Sequence, residues 1–473
     1  MSLSSSISNA FSGLTVTARA AQLVSSNLAN ALNENYARRD LDLSSYREGG
    51  AKVEKTNRFV DRALNADLRV ASAGQALAQE RKKGAETVLN SIGTPDDPAS
   101  LTAYLNRFDA SLRYMESAPS SEVRMKDTLA TAQALTKKLN DVEADIQKVR
   151  KRADRQIEAA VSTLNAKLNK IVTLNVEIVS ADINGRETSS LLDHRKQLVD
   201  EVSEFIPVRE MRKDHEAISL VSTNGMILIE ESAVQFDFTA SNEIAPHMTL
   251  AAGTLNALTL NGSAVSIDGD ASPLSGGRLQ GLFEIRDKHM VDAQKNIDDF
   301  VFDLADRFHN LPNDTDSSAT SPGLFTDQGS KATSVQTIGL AGRISINDSV
   351  DPNAGGELWR LRSGVQAMSE SLPGDASFVA DMISTLSAGN NRASLFDVAT
   401  SLVSAATQNL SQQEQSESFS NTHFQQLNAL RLENGVNTDA ELQKLLQIES
   451  NYAANAKVMQ TIDEMFAAIL RIN

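Results

Sequence analysis

The sequence contains no cysteine, which excludes disulfide bonds, thiolate metal sites and cysteine nucleophiles. Aromatic residues are scarce as well, at 5% of the chain with a single tryptophan, Trp359. The core must therefore consist mainly of Leu, Val, Ile and Ala, a composition that suits long helices packed along their sides. At 473 residues the chain is too long for one ordinary core, so we expect at least two domains.

Positive charge is in deficit, since the net charge at pH 7 is −16. Binding a phosphate backbone requires concentrated Lys and Arg, so nucleic acid is not an expected partner. No apolar run reaches membrane-spanning length, so no membrane is expected either. Residues 1–33 carry one charged side chain, Arg19, and lack the basic and apolar regions of a cleaved secretory signal.

Catalytic signatures are absent too. The sequence has no phosphate loop and no GxGxxG, HExxH or GxSxG motif. Its six histidines are scattered, and no pair has the spacing that places two ligands on one helix face. We therefore predict no catalytic, cofactor-binding or metal-binding residues, no cofactor, and a protein that is not an enzyme.

Two charged clusters are interpreted as solvated helix faces. The first comprises aspartates that lack the spacing and central glycine of a calcium loop: Asp298, Asp299, Asp303 and Asp306. The second lies in a predicted long helix, interleaved with carboxylates: Lys148, Arg150, Lys151, Arg152 and Arg155.

What the sequence does contain is an apolar stripe at each end of the chain. The first follows a three-four spacing typical of an amphipathic helix: Ile7, Phe11, Leu14, Ala18, Ala21, Leu28 and Leu32. The second follows the turn at Asn434-Gly435: Leu445, Ile448, Tyr452, Met459, Ile462, Phe466 and Ile469. Thr438 or Asp439 is the predicted N-cap of the last helix. The two helices are expected to pair like a coiled coil and, except for Ala18, these residues form the predicted assembly interface. The alternative is that each helix docks on its own domain core.

Between the ends, the hydrophobic period changes from helical to strand-like and back. No Gly or Pro occurs between Pro119 and Gly185, which predicts one very long helix or a helical hairpin. Further helices are predicted over 63–91, 191–205 and 278–311, and from 395 to the end of the chain. Asn224-Gly225 and Asn261-Gly262 each lie between strand-like runs and predict two β-hairpins.

The predicted fold is therefore mainly α with an inserted β domain, in a nested multi-domain arrangement. Four units are expected: a terminal paired-helix domain of 1–45 with 430–473; a long-helix bundle of 46–205 with 276–311 and 395–429; a β domain of 206–275; and an irregular, β-containing segment of 312–394.

Both chain ends resemble a known family, the axial proteins of the bacterial flagellum. The N-terminal region contains Phe11-Ser12-Gly13-Leu14 and the motif residues Ser26, Asn27, Asn30, Tyr36 and Arg38. It departs from the family at Asn35, which is usually Gly, and at Arg39, which is usually Gln. The C-terminal region is closer, with Gly435-Val436-Asn437 and Thr461-Ile462-Asp463-Glu464-Met465.

Two internal segments narrow the resemblance. Residues 191–203 and 277–287, the latter leading to 304–310, are similar to segments of hook-associated protein 1, the family at the first hook–filament junction. The resemblance implies a structural adaptor that connects hook to filament as a helical polymer of itself. It also implies export by the flagellar type III system to the extracellular flagellum. The implied partners are hook protein, the second hook–filament junction protein and a cytoplasmic export chaperone on the C-terminal helix.

Other classes of protein stay open from the sequence alone. The alternatives within the flagellum are the second junction protein and a flagellin-like protein. Outside it, the chain could be a cytoplasmic coiled-coil scaffold, which the long Gly- and Pro-free segment favours. An enzyme carried by the central domains has no support beyond ordinary polar residues.

Overall fold

In the computed structural model, the described residues are 3–47, 49–267, 269, 272–309, 311–314, 318–387 and 392–472. The fold is 62% helical with a few small sheets, which confirms the predicted fold class. Eleven α-helices occur in the described part of the chain, in this order: α1 Leu3–Ala29, α2 Arg62–Ile92, α3 Leu101–Glu116, α4 Glu122–Ile183, α5 Ser189–Phe205, α6 Arg278–Glu284, α7 Met290–Arg307, α8 Arg360–Ser363, α9 Ser377–Leu386, α10 Leu395–Glu433 and α11 Thr438–Ile472. A π-helical segment, Ile285–His289, joins α6 to α7.

The strands of the described residues form four small antiparallel sheets. Two of them have two strands, β1–β2 and β9–β10, and two have three strands, β3–β4–β5 and β6–β7–β8. The strands are β1 Arg39–Ser45, β2 Ala51–Arg58, β3 Val208–Arg212, β4 Ile218–Ser222, β5 Ile227–Ile229, β6 Phe236–Asp237, β7 Thr259–Leu260, β8 Ser263–Ala264, β9 Phe325–Asp327 and β10 Ile344–Ile346.

Helix α4 connects two hydrophobic cores. It runs unbroken for 62 residues, because no Gly or Pro interrupts it. Its first half packs in one core with α3, α7, α9, the start of α10 and the β9–β10 hairpin. At the centre of this core, the Phe308 ring meets the rings of Phe325 and Phe108 at centroid distances of 5.1 and 5.8 Å. Most of the segment predicted as irregular, 312–394, therefore folds onto the first half of α4.

The second half of α4 packs against the β insertion. Its buried Leu164 and Leu168 share a core with Val199 of α5, with Leu220 of β4 and with Phe236 of β6. The insertion therefore buries its apolar side chains against the helical frame. The predicted boundaries of the four units, 206–275 included, stay predictions.

A buried ionic network lies between the two cores, where a solvated face was predicted. The Arg286 and Asp154 side chains are fully buried and form an ion pair of 2.6 Å between Nη1 and Oδ1. Arg150, also fully buried, donates from Nε to the Arg286 carbonyl at 3.0 Å. The predicted solvated face is wrong for Arg150, which lies four residues after Ile146 and seven before Ile157 and so falls on the apolar stripe of α4.

The same prediction is wrong for Asp298 of α7. Its side chain is buried and accepts hydrogen bonds from the backbone N–H groups of Gly339 and Ala341, at 2.7 and 2.8 Å. Burial raises the pKa of Asp298, although these N–H groups stabilise its ionised form. Asp298 therefore fixes the turn before β10, whereas the nearby Asp299 is exposed.

Several predictions about individual elements can be compared with the structure. The helix predicted over 63–91 is α2, the long segment is one helix rather than a hairpin, and both Asn-Gly hairpins are present. The strands β1 and β2 and the helix α3 were not predicted. The predicted N-cap of α11 is wrong, because Asn437 Oδ1 accepts from the Ala440 N–H at 3.0 Å.

Candidate assembly site

The candidate site is the region where α1, the β1–β2 hairpin and α11 meet. Helix α11 packs along α1. The β1–β2 hairpin also lies against α1, where the Ala51 N–H donates to Ser12 Oγ at 3.1 Å. The hairpin turn contains Gly49 and Gly50, both at positive φ. Whether the two helices wind as a coiled coil stays a prediction.

Asn27, one of the predicted motif residues, is the polar centre of this region. Its side chain is fully buried, and Nδ2 donates to the Arg39 carbonyl at 2.9 Å and to Glu441 Oε2 at 3.0 Å. Its Oδ1 accepts from Tyr36 OH at 2.8 Å and from the Arg39 N–H at 3.1 Å. An asparagine amide has two donors and two acceptor positions, so its full hydrogen-bonding capacity is used. Asn27 therefore joins α1, β1 and α11.

Glu441 is the α11 side of this contact and was not predicted. It is fully buried in the first turn of α11, where the helix N-terminus favours a negative charge. Lys444 Nζ lies 3.6 Å from Glu441 Oε1 and 3.2 Å from Asp40 Oδ2 of β1. The sequence signal for Glu441 is its position four residues after Asn437, because an N-cap asparagine followed by an acidic residue is typical of the first turn of a helix.

The remaining motif residues fix the loop between α1 and β1. Asn30 Nδ2 donates to the Ser26 carbonyl at 2.9 Å, and Ser26 Oγ lies 3.4 Å from Tyr36 OH. The Arg38 guanidinium carbon stands 4.2 Å from the ring centroid of Phe59. The structure thus brings all five predicted motif residues into one stretch around the turn, with Asn27 alone fully buried.

A second polar centre, Asp193, ties the hairpin to α5. Its Oδ2 pairs with Arg39 Nη2 at 2.7 Å and its Oδ1 with Arg58 Nη2. The Ala37 N–H also donates to Oδ1, at 3.4 Å. Asp193 lies within the segment 191–203 that resembles hook-associated protein 1, so this segment connects the hairpin to the helical domain.

The predicted interface residues fall at different depths. On α1, Ile7, Leu14, Ala21 and Leu28 are half-buried, whereas Phe11 is 64% exposed. Leu32, predicted as part of the same stripe, lies in the turn after α1 and is 98% exposed. On α11, Ile462 is buried, Leu445, Ile448 and Met459 are half-buried, and Tyr452 and Phe466 are exposed. The Ile469 side chain lies outside the described residues.

The predicted apolar stripe of α1 does not include three of the buried positions of this helix. Ala10, Thr17 and Val24 are buried at a seven-residue spacing. Between them, Gly13 is so close to α11 that an added Cβ would lie 2.8 Å from Asn455 Nδ2. Small residues on one helix face allow close approach of a neighbouring helix. Small side chains such as Ala10 and Gly13 are therefore the sequence signal of this contact, rather than large apolar ones.

A large part of the apolar surface of α11 is exposed within the described part of the chain. The exposed apolar side chains of this helix are Leu442, Leu446, Tyr452, Val458, Met465, Phe466 and Leu470. Exposed apolar side chains in this number on one helix are typical of a protein-binding surface.

Chemistry of other kinds finds no support in the described part of the chain. Among the described residues, no group of three or more His, Asp or Glu side chains lies close enough together to hold a metal ion. Each described helix is too short or too polar to span a bilayer.

Two family models match the chain. Residues 433–472 match the C-terminal model of the flagellar basal body rod FlgEFG proteins, and residues 86–318 match the helical domain of the flagellar hook-associated protein FlgK. The first match defines a class, the axial proteins of the bacterial flagellum. The second is narrower: residues 86–318 match the model of the FlgK helical domain, and the predicted resemblance to hook-associated protein 1 is confirmed.

Individual relatives agree with the family models. The chain is 21% identical to flagellar hook-associated protein 1 of Escherichia coli K12, over 65% of this chain and 57% of the relative. It is 23% identical to the Salmonella typhimurium protein of the same name, over 65% and 56%. The chain thus spans little more than half of these relatives. The solved hook junction protein FlgK of Burkholderia pseudomallei matches with a TM-score of 0.44 and 18% identity, over 55% of this chain and 46% of that one.

Proposed function

We propose that this chain is a structural adaptor of the bacterial flagellum that polymerises helically at the hook–filament junction and performs no catalysis. The observation that carries the proposal is the FlgK helical domain at residues 86–318, followed by an axial-protein C-terminal region at 433–472. The physical support is the exposed apolar face of α11, which another subunit would cover in a polymer.

In this proposal, α1 and α11 act as one unit. The Asn27–Glu441 hydrogen bond and the Asp193 ion pairs position both helices relative to the helical domain. The predicted interface residues, from Ile7 on α1 to Phe466 on α11, then contact neighbouring subunits, hook protein on one side and the second junction protein on the other. The exposed residues Phe11, Tyr452 and Phe466 are the first candidates for these contacts.

Export is the second part of the proposal. The protein leaves the cell through the flagellar type III channel, and a cytoplasmic chaperone covers α11 beforehand. The reason is that an apolar helix face that meets its neighbours only at the growing tip would otherwise associate too early.

The test is the location of the protein along purified flagella of its source bacterium. Immunogold labelling is expected at a short zone between hook and filament. Labelling along the whole filament would favour a flagellin-like protein, and labelling only beyond that zone would favour the second junction protein. Retention of all the protein in the cytoplasm would contradict the proposal and favour a scaffold.

A further inference from the structure

A cleft rich in positive charge lies beside the assembly site. It has a volume of about 830 Å³ and is bordered by α1, β2, the start of α2, the turn after α4, and α5 with β3. Ten Arg and Lys side chains line it, against five Asp and Glu side chains. Two further carboxylates next to the lining, Asp193 and Asp200, pair with Arg58, Arg69 and Lys196, and a surplus of positive charge remains. In a chain with a net charge of −16, such a surplus in one cleft requires a physical explanation.

The five carboxylates of the cleft already have partners within the chain. Asp182 lies 3.0 Å from His215 Nδ1, Glu210 pairs with Arg69 at 2.7 Å, and Glu216 pairs with Arg212. Glu54 accepts from Ser44 Oγ at 2.6 Å, and Glu187 accepts from the Ser189 N–H at 3.2 Å. The five carboxylates keep their negative charge, but none of them forms an ion pair with Arg19, Lys55, Arg62, Arg186 or Arg209 among the described residues.

Six of the ten cations form no ion pair among the described residues. Five of these six are exposed: Arg19, Lys55, Arg62, Arg186 and Arg209. They come from α1, β2, α2, the turn after α4, and β3, so the tertiary fold assembles them from distant parts of the sequence. Positive charges held close together repel one another and raise the free energy of the isolated molecule. Binding of a ligand that carries carboxylates relieves this repulsion.

We propose that this cleft binds the exposed carboxylates of α11 from a second copy of the chain. The inference rests on the proposed function, since it needs a polymer. A helical polymer is built from head-to-tail contacts, in which two different surfaces of one chain must be complementary. Helix α11 offers Glu449, Asp463 and Glu464, all exposed and without an ion pair among the described residues.

The position of these carboxylates supports α11 over other acidic surfaces. Asp463 and Glu464 directly precede Met465 and Phe466, which are 49% and 41% exposed. Helix α11 therefore presents charge and apolar area together, as interfaces between proteins do. The β1–β2 hairpin, whose Asp40 contacts Lys444 of α11, also forms one wall of the cleft.

Charge reversal on each side tests the pairing. The cleft variant carries Arg62→Glu and Arg209→Glu, and the helix variant carries Glu449→Lys and Glu464→Lys. The control, Arg152→Glu with Arg155→Glu, changes the net charge as the cleft variant does, at two exposed positions of α4 outside the cleft. Each variant is expressed in a strain of the source bacterium that lacks this gene. Flagella that retain a filament are counted by electron microscopy, and the exported protein is quantified.

The two single-surface variants are expected to reduce filament-bearing flagella at least about tenfold at unchanged export, whereas the control leaves them unchanged. A chain that combines both reversals restores the opposite charges and is expected to recover most of the loss. Recovery would not occur if the cleft bound another axial protein, an unrelated anion such as phosphate, or nothing, and its absence overturns the inference.

A cross-link provides the second readout. Because the natural chain has no cysteine, Arg62→Cys in one copy and Glu464→Cys in another are the only thiols that this protein contributes to a mixed assembly. Oxidation of purified flagella is expected to yield a disulfide-linked dimer, and the Arg152→Cys and Glu464→Cys mixture is not. If the wild-type gene fails to restore filaments, the proposed function is wrong. If it restores them and no cross-link forms, only this inference is wrong.

Discussion

Asn27 shows what one side chain contributes at the scale of the residue. Its amide, on α1, is buried, and all four of its hydrogen-bonding positions are occupied by Tyr36, Arg39 of β1 and Glu441 of α11. A buried amide of this kind contributes little net stability when satisfied, but its removal leaves several buried groups without partners. Specificity of the contact between α1 and α11 is therefore concentrated at this residue.

Asn27→Ala is expected to loosen α11 from α1, because the buried Glu441 carboxylate loses its donor. The expected cost is about 2–4 kcal/mol in the local stability of the contact. Hydrogen exchange of the amides of α11 measures it, with Asn33→Ala, an exposed position in the same region, as the control. Unchanged exchange in α11 would contradict this role for Asn27.

Glu284 gives a residue-scale prediction about pH. Burial opposes its ionisation, but hydrogen bonds from Arg81 and Gln280, the nearby His289 and the Arg81 charge together outweigh burial and lower its pKa to about 2. Because the folded pKa is below the unfolded value of 4.5, the ionised group stabilises the protein above pH 4.5. This contribution, about 3 kcal/mol at most, is lost as the pH falls from 4.5 toward 2.

Glu284→Gln is therefore expected to lower the free energy of unfolding at pH 7 and to flatten its decline below pH 4.5. Urea unfolding at a series of pH values measures both effects. Glu86→Gln on α2, whose carboxylate is 44% exposed and 3.9 Å from Lys82, is the matched control and should leave the acid slope unchanged. Parallel acid slopes for wild type and Glu284→Gln would contradict the assignment.

At the scale of the element, α2 and α6 show how closely two helices can approach. A Cβ at Gly281 of α6 would lie 2.8 Å from Glu80 Cβ of α2, a distance that real side chains do not tolerate. Gly74, also on α2, has no heavy atom within 4 Å of an added Cβ. The same substitution therefore has opposite consequences at the two positions.

Gly281→Ala is expected to destabilise the protein by about 1–3 kcal/mol, because the helices must move apart. Gly74→Ala is expected to stabilise it by up to about 1 kcal/mol, because alanine has the higher helix propensity and meets no neighbour. Denaturant unfolding of the two variants measures the difference. Equal effects would show that propensity alone decides at both positions.

At the scale of the whole molecule, stability and assembly are assigned to different parts of the chain. Both hydrophobic cores form around α4 and include no residue of α1 or α11. Helix α11 contributes only Glu441 and Ile462 to the buried residues of the described chain. The two cores therefore do not depend on α11, whereas the proposed polymer does.

Deletion of Thr438–Ile472 is expected to leave both cores folded, with a melting temperature within about 4 °C of the wild-type value. Filament attachment is expected to be abolished in the same strain. Circular dichroism and electron microscopy measure the two outcomes. Normal filaments on cells with the deletion would contradict the assembly role of α11, and a collapse of the melting transition would contradict its independence from the cores.

The sequence by itself determined the helices, because hydrophobic period and the absence of Gly and Pro are local properties. The long α4, both Asn-Gly hairpins and the family resemblance all follow from contiguous residues. Local patterns did not reveal β1 and β2, whose strands alternate weakly and bury little surface. They also placed Arg150 and Asp298 on solvated faces, because charged residue types usually lie at the surface, whereas both positions lie on buried faces of α4 and α7.

Only the tertiary structure decided which distant side chains meet. The contact from Asn27 to Glu441, the ion pairs of Asp193 and the cleft of unpaired cations each join segments far apart in sequence. The apolar stripes at the two ends indicated an assembly device. The structure showed that small residues and a buried asparagine hold α1 to α11, leaving much of the apolar surface of α11 exposed. The physical reason is that a helical period fixes which residues share a face, whereas packing decides which face is covered.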